Sequence, residues 1–92
     1  MRQVMLKQPD FYAALPDSAM SEFFRQASDR LVDESAILET AIASILASDG
    51  HISNKAIILW LIGTLERTDD IVTADVIRKT LEIVVGYTMD DI

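Results

Sequence analysis

Residues 74–92 read ADVIRKTLEIVVGYTMDDI, and whether this segment is a helix decides the fold. Taken at about 100° per residue, Ala74, Ile77, Leu81, Val84 and Val85 make one apolar stripe. Val72, Val76, Thr80, Ile83 and Tyr87 make a second stripe beside it. Together the two cover roughly 220° of the helix circumference. Asp75, Arg78, Lys79, Glu82 and Gly86 occupy the remaining polar arc. A surface helix needs an apolar arc of only a little over ~100° to pack on its own core. The excess calls for a further surface, most simply a second copy of the chain or another protein.

Working back from that helix, the same periodicity recurs. In residues 54–67, Ile57, Ile58, Leu61, Ile62 and Leu65 form a core face. Leu59 and Trp60 flank it, and Ser53 stands where a helix cap is expected. In residues 29–48, Leu31, Ser35, Leu38, Ile42 and Ile45 recur at steps of four, three, four and three. That is the spacing of a coiled-coil seam over about two heptads, interrupted by Ser35. Val32, Ala36, Ala43 and Ala47 make a small-residue stripe beside it, where another helix can approach. Asp49-Gly50 ends the helix, with Gly50 suited to a left-handed cap. Pro16-Asp17-Ser18 is a helix start signal for residues 18–27, which would bury Met20, Phe23 and Phe24. Ser28-Asp29 supplies the break before the next helix, and one continuous helix is the alternative. Asp69, Asp70 or Thr73 can cap the last helix.

The expected fold is therefore all-α, a small bundle of three to four helices that dimerises through apolar helix faces. Residues 1–17, with both prolines and no sustained period, read as a flexible N-terminal arm. Residues 18–92 read as a single helical domain. The expected dimer interface comprises Leu31, Leu38, Ile42, Ile45, Val76, Ile83 and Tyr87, with Trp60 at its edge.

Composition narrows the function. The chain has 92 residues, 50% of them hydrophobic, with 15 acidic and 8 basic residues and a net charge of -7. That charge repels nucleic acid and anionic membranes and suits a basic or mixed protein partner. The longest apolar run, residues 56–62, is far short of a membrane span. The absence of cysteine rules out disulfides and cysteine-based metal sites, which fits a cytoplasmic protein. No cofactor or metal is expected. The one histidine, His51, sits beside Gly50 in an expected loop, where it is a solvated residue or a pH sensor. Asp69-Asp70 and Asp90-Asp91 read as caps and tail, and Gly50, Gly63 and Gly86 are too isolated for a phosphate loop. The chain reads as a non-enzyme. Arg78-Lys79 is the one adjacent basic pair, with i,i+4 partners in Glu82 and Asp75.

Three segments also carry a resemblance: NKAIILWLIGTLE at residues 54–66, ADVIRKTLEIV at residues 74–84, and Tyr87-Thr88 with Asp90-Asp91. They resemble the AriR/YmgB family of small bacterial regulators. The resemblance covers roughly the last forty residues well, residues 21–48 loosely, and residues 1–17 not clearly. It implies a connector protein that binds a response regulator or phosphorelay protein of the Rcs type and influences biofilm formation and acid resistance. Shared positions include Asn54, Lys55, Glu66, Asp75, Arg78, Lys79 and Glu82. Of these, Asp75, Arg78, Lys79 and Glu82 are the candidate partner contacts, because a core does not demand particular charges there. The family also implies an alternative, weak non-specific DNA association, which the net charge disfavours. A third possibility, a structural or antitoxin-like helical partner subunit, follows from the apolar excess alone.

Overall fold

The computed structural model describes residues 11–27 and 29–88, and every regular element among them is helical. A 3-10 turn at Phe11–Ala14 leads into four α-helices: α1 (Ser18–Ala27), α2 (Val32–Asp49), α3 (Asn54–Glu66) and α4 (Ile71–Thr88). The helix ends follow local chemistry. Asp17 Oδ1 accepts the backbone N–H groups of Ala19 (2.9 Å) and Met20 (3.2 Å) and so caps α1. Ser53 Oγ accepts from Ala56 N–H at 3.1 Å and caps α3. Gly50 closes α2 at φ 81°, a conformation that favours glycine, with its N–H bonded to Leu46 O at 3.0 Å.

The break between α1 and α2 falls where expected, but its cap does not. α2 starts at Val32 with Leu31 in the cap position and no side-chain cap hydrogen bond. The break is held by backbone bonds from Arg30 and Leu31 N–H to Ala27 O. Ser28 lies outside the described residues.

Asp70 begins α4. Its carboxylate accepts the Thr73 hydroxyl at 2.6 Å and the Thr73 N–H at 2.8 Å. The hydroxyl bond first, and the N–H bond second, hold its pKa below the usual 3.8. A folded-state pKa that is depressed adds stability that is fully present above the unfolded value. That contribution is lost as pH falls through the folded value, below 3.8. Asp70→Asn can still cap the helix but cannot titrate. Its denaturation midpoint is expected to match the wild type near neutral pH and to fall less steeply in acid. An acid limb identical to the wild type would contradict this.

The core is one cluster to which all four helices contribute. Met20 and Phe24 of α1, Leu38 and Ile42 of α2, Ile57 and Leu61 of α3, and Ile77 and Val84 of α4 are all fully buried. Phe23 is half-buried and bridges α1 to α4, edge-on to Phe24 at 5.6 Å and tilted against Tyr87 at 5.8 Å. The innermost line of α4 is Ile77, Thr80, Val84 and Thr88, between the two stripes rather than along the first. Two threonines tolerate this burial because their hydroxyls bond back along the helix. Thr80 Oγ1 donates to Val76 O at 2.8 Å and Thr88 Oγ1 to Val84 O at 2.7 Å. Thr88 Oγ1 also accepts from Asn54 Nδ2 at 2.9 Å, which ties the start of α3 to the end of α4. Ser35, the polar break in the α2 seam, is buried with no partner for its Oγ among the described residues, a cost of about 1–3 kcal/mol.

Two residues of the expected arm contact the helices. Leu15 is buried in the core, and Tyr12 stacks on Phe24 at 6.3 Å while its hydroxyl donates to Glu39 Oε2 at 3.1 Å. The burial of Leu15 and the contacts of Tyr12 seat this turn against the core, which its lack of periodicity concealed. The part of the expected arm at residues 1–10, and the tail at residues 89–92, lie outside the described residues.

Candidate functional site

The surface chemistry of α2 and α4 follows from what the core leaves over. The lines Ser35–Leu38–Ile42–Ile45 and Ile77–Thr80–Val84 turn inward, so Val32 and Ala36 of the small-residue stripe of α2 and Val72 and Val76 of the second stripe of α4 are left on the outer side. Between them lies a groove of about 350 Å³. Asp33, Ala36, Ile37 and Thr40 form its α2 wall, and Val72, Thr73 and Val76 its α4 wall. Ala36 keeps the groove open because its side chain is short. Val72 is 71% exposed, Ile71 before it is 82% exposed, and Val32, before Asp33 on the other wall, is 61% exposed. Three branched apolar side chains standing in water at the starts of two neighbouring helices mark a surface suited to apolar contact. Asp33 adds negative charge to it.

Next to this groove on α4, Asp75, Arg78, Lys79 and Glu82 are all exposed. Arg78 does not pair forward with Glu82 as the i,i+4 spacing suggested. Its Nη1 turns back to Asp75 Oδ1 at 2.7 Å, because helical side chains lean toward the N-terminus. With 53% and 76% of these two side chains in water, the pair adds little stability. It leaves the charges available to a partner.

The expected dimer residues divide. Leu38 and Ile42 are fully buried and Ile45 is nearly so, within a single chain. Their seam is real, but its partners are α3, α4 and the 3-10 turn of the same molecule, so neither Leu38 nor Ile42 offers surface to a second copy. Leu31, Trp60, Val76, Ile83 and Tyr87 are half-buried, and Trp60, Ile83 and Tyr87 pack against the core. Val76 lines the groove. Ile62, expected on the core face of α3, is instead 38% exposed, because α3 buries the line through Ile57 and Leu61. The groove was missed as a site, although its parts were visible as the Val32–Ala36 stripe and the second stripe of α4.

A larger cleft of about 910 Å³ lies where the starts of α1 and α3 meet Thr88 at the end of α4. Asp17 and Ser53 cap their helices there and Asn54 Nδ2 bonds Thr88, while Asn54 Oδ1 is buried with no hydrogen-bond partner among the described residues. Its α4 wall stops at Thr88, where the described residues end. His51 is exposed, with Nδ1 3.3 Å from Asp49 O. Among the described residues no three His, Cys, Asp or Glu side chains gather to hold a metal ion, and no helix is long and apolar enough to cross a membrane.

Comparison with known proteins places this surface in context. A family model described as biofilm development protein YmgB/AriR matches residues 30–87. That span contains α2, α3 and α4, with both the groove and the charged strip. The chain is 48% identical over 87 residues to the regulatory protein AriR of Escherichia coli strain SMS-3-5 / SECEC, covering 95% of this chain and 99% of that one. It is 47% identical over the same length to regulatory protein AriR of Escherichia coli K12 / DH10B, with the same coverage. No solved structure matches.

Proposed function

From the premise that this chain belongs to the biofilm development protein family YmgB/AriR, we propose that it is a non-enzymatic regulator that acts by binding another protein through the joint surface of α2 and α4. The observation that carries this reading is the apolar groove between Ala36 and Val76, bordered by the exposed strip Asp75, Arg78, Lys79 and Glu82. The groove supplies buried apolar contact on binding, and the strip supplies register and selectivity. The relatives are regulatory proteins, and the proposed partner is a component of a two-component phosphorelay of the Rcs type, either its response regulator or a phosphotransfer protein. The outcome of binding is an altered phosphorelay output governing biofilm formation and the acid-stress response.

The chain's acidity suits a partner face that is basic or mixed. With the net charge at -7, no DNA-contact role is needed to account for the exposed Arg78 and Lys79, one of which already answers Asp75.

A reconstituted relay tests the proposal. Adding the purified chain is expected to change the phosphorylated fraction of the response regulator in a saturable way. Arg78→Ala with Lys79→Ala should weaken the effect, and the wild-type effect should fall as salt rises. If no relay component binds the chain, the assignment of partner is wrong. If the double variant acts like the wild type, the strip is not a contact.

A further inference from the structure

We propose that the 3-10 turn and α1, residues 11–27, form a strap that opens as one unit while α2, α3 and α4 stay folded. Each of α2, α3 and α4 packs on both of the others, so these three helices keep their mutual interfaces when α1 is lifted. α1 packs chiefly on the turn and on α4, and the turn on α1 and α2. Tyr12 stacks on Phe24 at 6.3 Å, and Leu15, Met20 and Phe24 belong to one buried cluster. Lifting the turn by itself would bare the Phe24 ring, and lifting α1 by itself would strip the turn of its stacking partner. Turn and helix therefore move together, as a local cooperative unit does.

The strap is fastened at two places. The Tyr12 hydroxyl donates to Glu39 Oε2 at 3.1 Å, a bond strengthened by the charge of its acceptor, and holds the turn on α2. Phe23 meets Tyr87 with ring centroids 5.8 Å apart and holds α1 on the end of α4. The join to α2 is lightly built. Arg30 and Leu31 N–H share one acceptor, Ala27 O, at 2.9 and 2.8 Å, and no side chain caps α2 at Leu31. The family match, which begins at residue 30, follows the same division. Met20, Phe24 and Ala27 are buried at steps of four and three, so a single face of α1 rests on the seat. Opening thus uncovers an apolar surface moulded on a helix. That surface includes Tyr87, at the far end of α4 from Val72 and Val76 of the groove. The strap is a device separate from the surface proposed for the relay partner.

Native-state hydrogen exchange of the full chain, read amide by amide by NMR, tests this. The amides of the turn and α1 are expected to share one opening, with protection at least about tenfold below that of the slowest amides of α2, α3 and α4. Tyr12→Phe keeps the ring and removes the hydroxyl, and should speed exchange through the turn and all of α1 by about tenfold. Ile77→Val trims the core of α4 away from Tyr87. It should speed the slowest amides of α2, α3 and α4 by about fivefold and leave α1 unchanged, because the strap opens before those helices do. Both substitutions are conservative enough for the chain to fold. The proposal is overturned if α1 exchanges only together with the slowest amides of the other helices. It is overturned equally if Tyr12→Phe leaves α1 unchanged or speeds the turn alone, or if Ile77→Val speeds α1 as much as the rest.

Discussion

Replacing Leu38 by alanine is expected to destabilise the chain by about 2–5 kcal/mol, the range for emptying a well-packed leucine site. Leu38 is fully buried beside Ile42 in the core cluster, on a helix packed against α3 and α4, so the hole would have little freedom to collapse. A domain of this size carries roughly 5–14 kcal/mol in all, so the loss takes a large share of it. The melting temperature should fall by ten degrees or more at a few degrees per kcal/mol. The decisive feature is concentration. A residue of a monomer core lowers the melting temperature equally in dilute and concentrated samples, whereas a residue of a dimer interface makes the loss depend on protein concentration. A loss that vanishes at high concentration would return Leu38 to the interface its coiled-coil spacing suggested.

The second large effect is expected on binding rather than stability. Val72→Lys places a charge on the wall of the groove between α2 and α4, at a position already 71% exposed. The folded chain should tolerate it, because lysine is a good helix former and its ammonium stays in water. A docked partner should not. It would have to cover that charge or give up the groove, and the acidic chain's attraction for a basic partner is weakened as well. A loss of about 2 kcal/mol or more, over tenfold in affinity, is the expected cost at a central contact. Isothermal titration with the relay component, beside a thermal melt of the variant, separates the two effects. Equal affinity for wild type and variant would mean that the groove is not the contact.

Much of this was legible in the sequence, and the exceptions have one cause. Helix number, the cap at Ser53, the glycine stop at Gly50 and the acidic start of α4 are local events. A side chain meets backbone groups two to four residues away, and spacing alone reveals that. Depth is not local. The spacing of Leu38, Ile42 and Ile45 marks an apolar line but is the same whether a second copy or the chain's own helices cover it. In α4 the two stripes were set apart, with Thr80 in the second, whereas the buried line runs between them through Ile77, Thr80 and Val84. The hydroxyl bond of Thr80 to Val76 O makes it as buried as Ile77. The seating of Leu15 and Tyr12 was hidden for a related reason, since Tyr12 bonds Glu39, far away in sequence, and no periodicity announces such a contact. For the candidate site, the exposed strip was legible as charge on one arc of α4. The groove needed α2 and α4 to be set side by side.

The central claim is that the surface shared by α2 and α4 is where another protein docks to be regulated. Quantitative affinity capture from the native cell, with wild-type and Val72→Lys chains compared side by side, tests it most directly. The account predicts a two-component signalling protein enriched on the wild type and depleted by at least about tenfold on Val72→Lys. Capture of that protein to the same extent by wild type and Val72→Lys would contradict it.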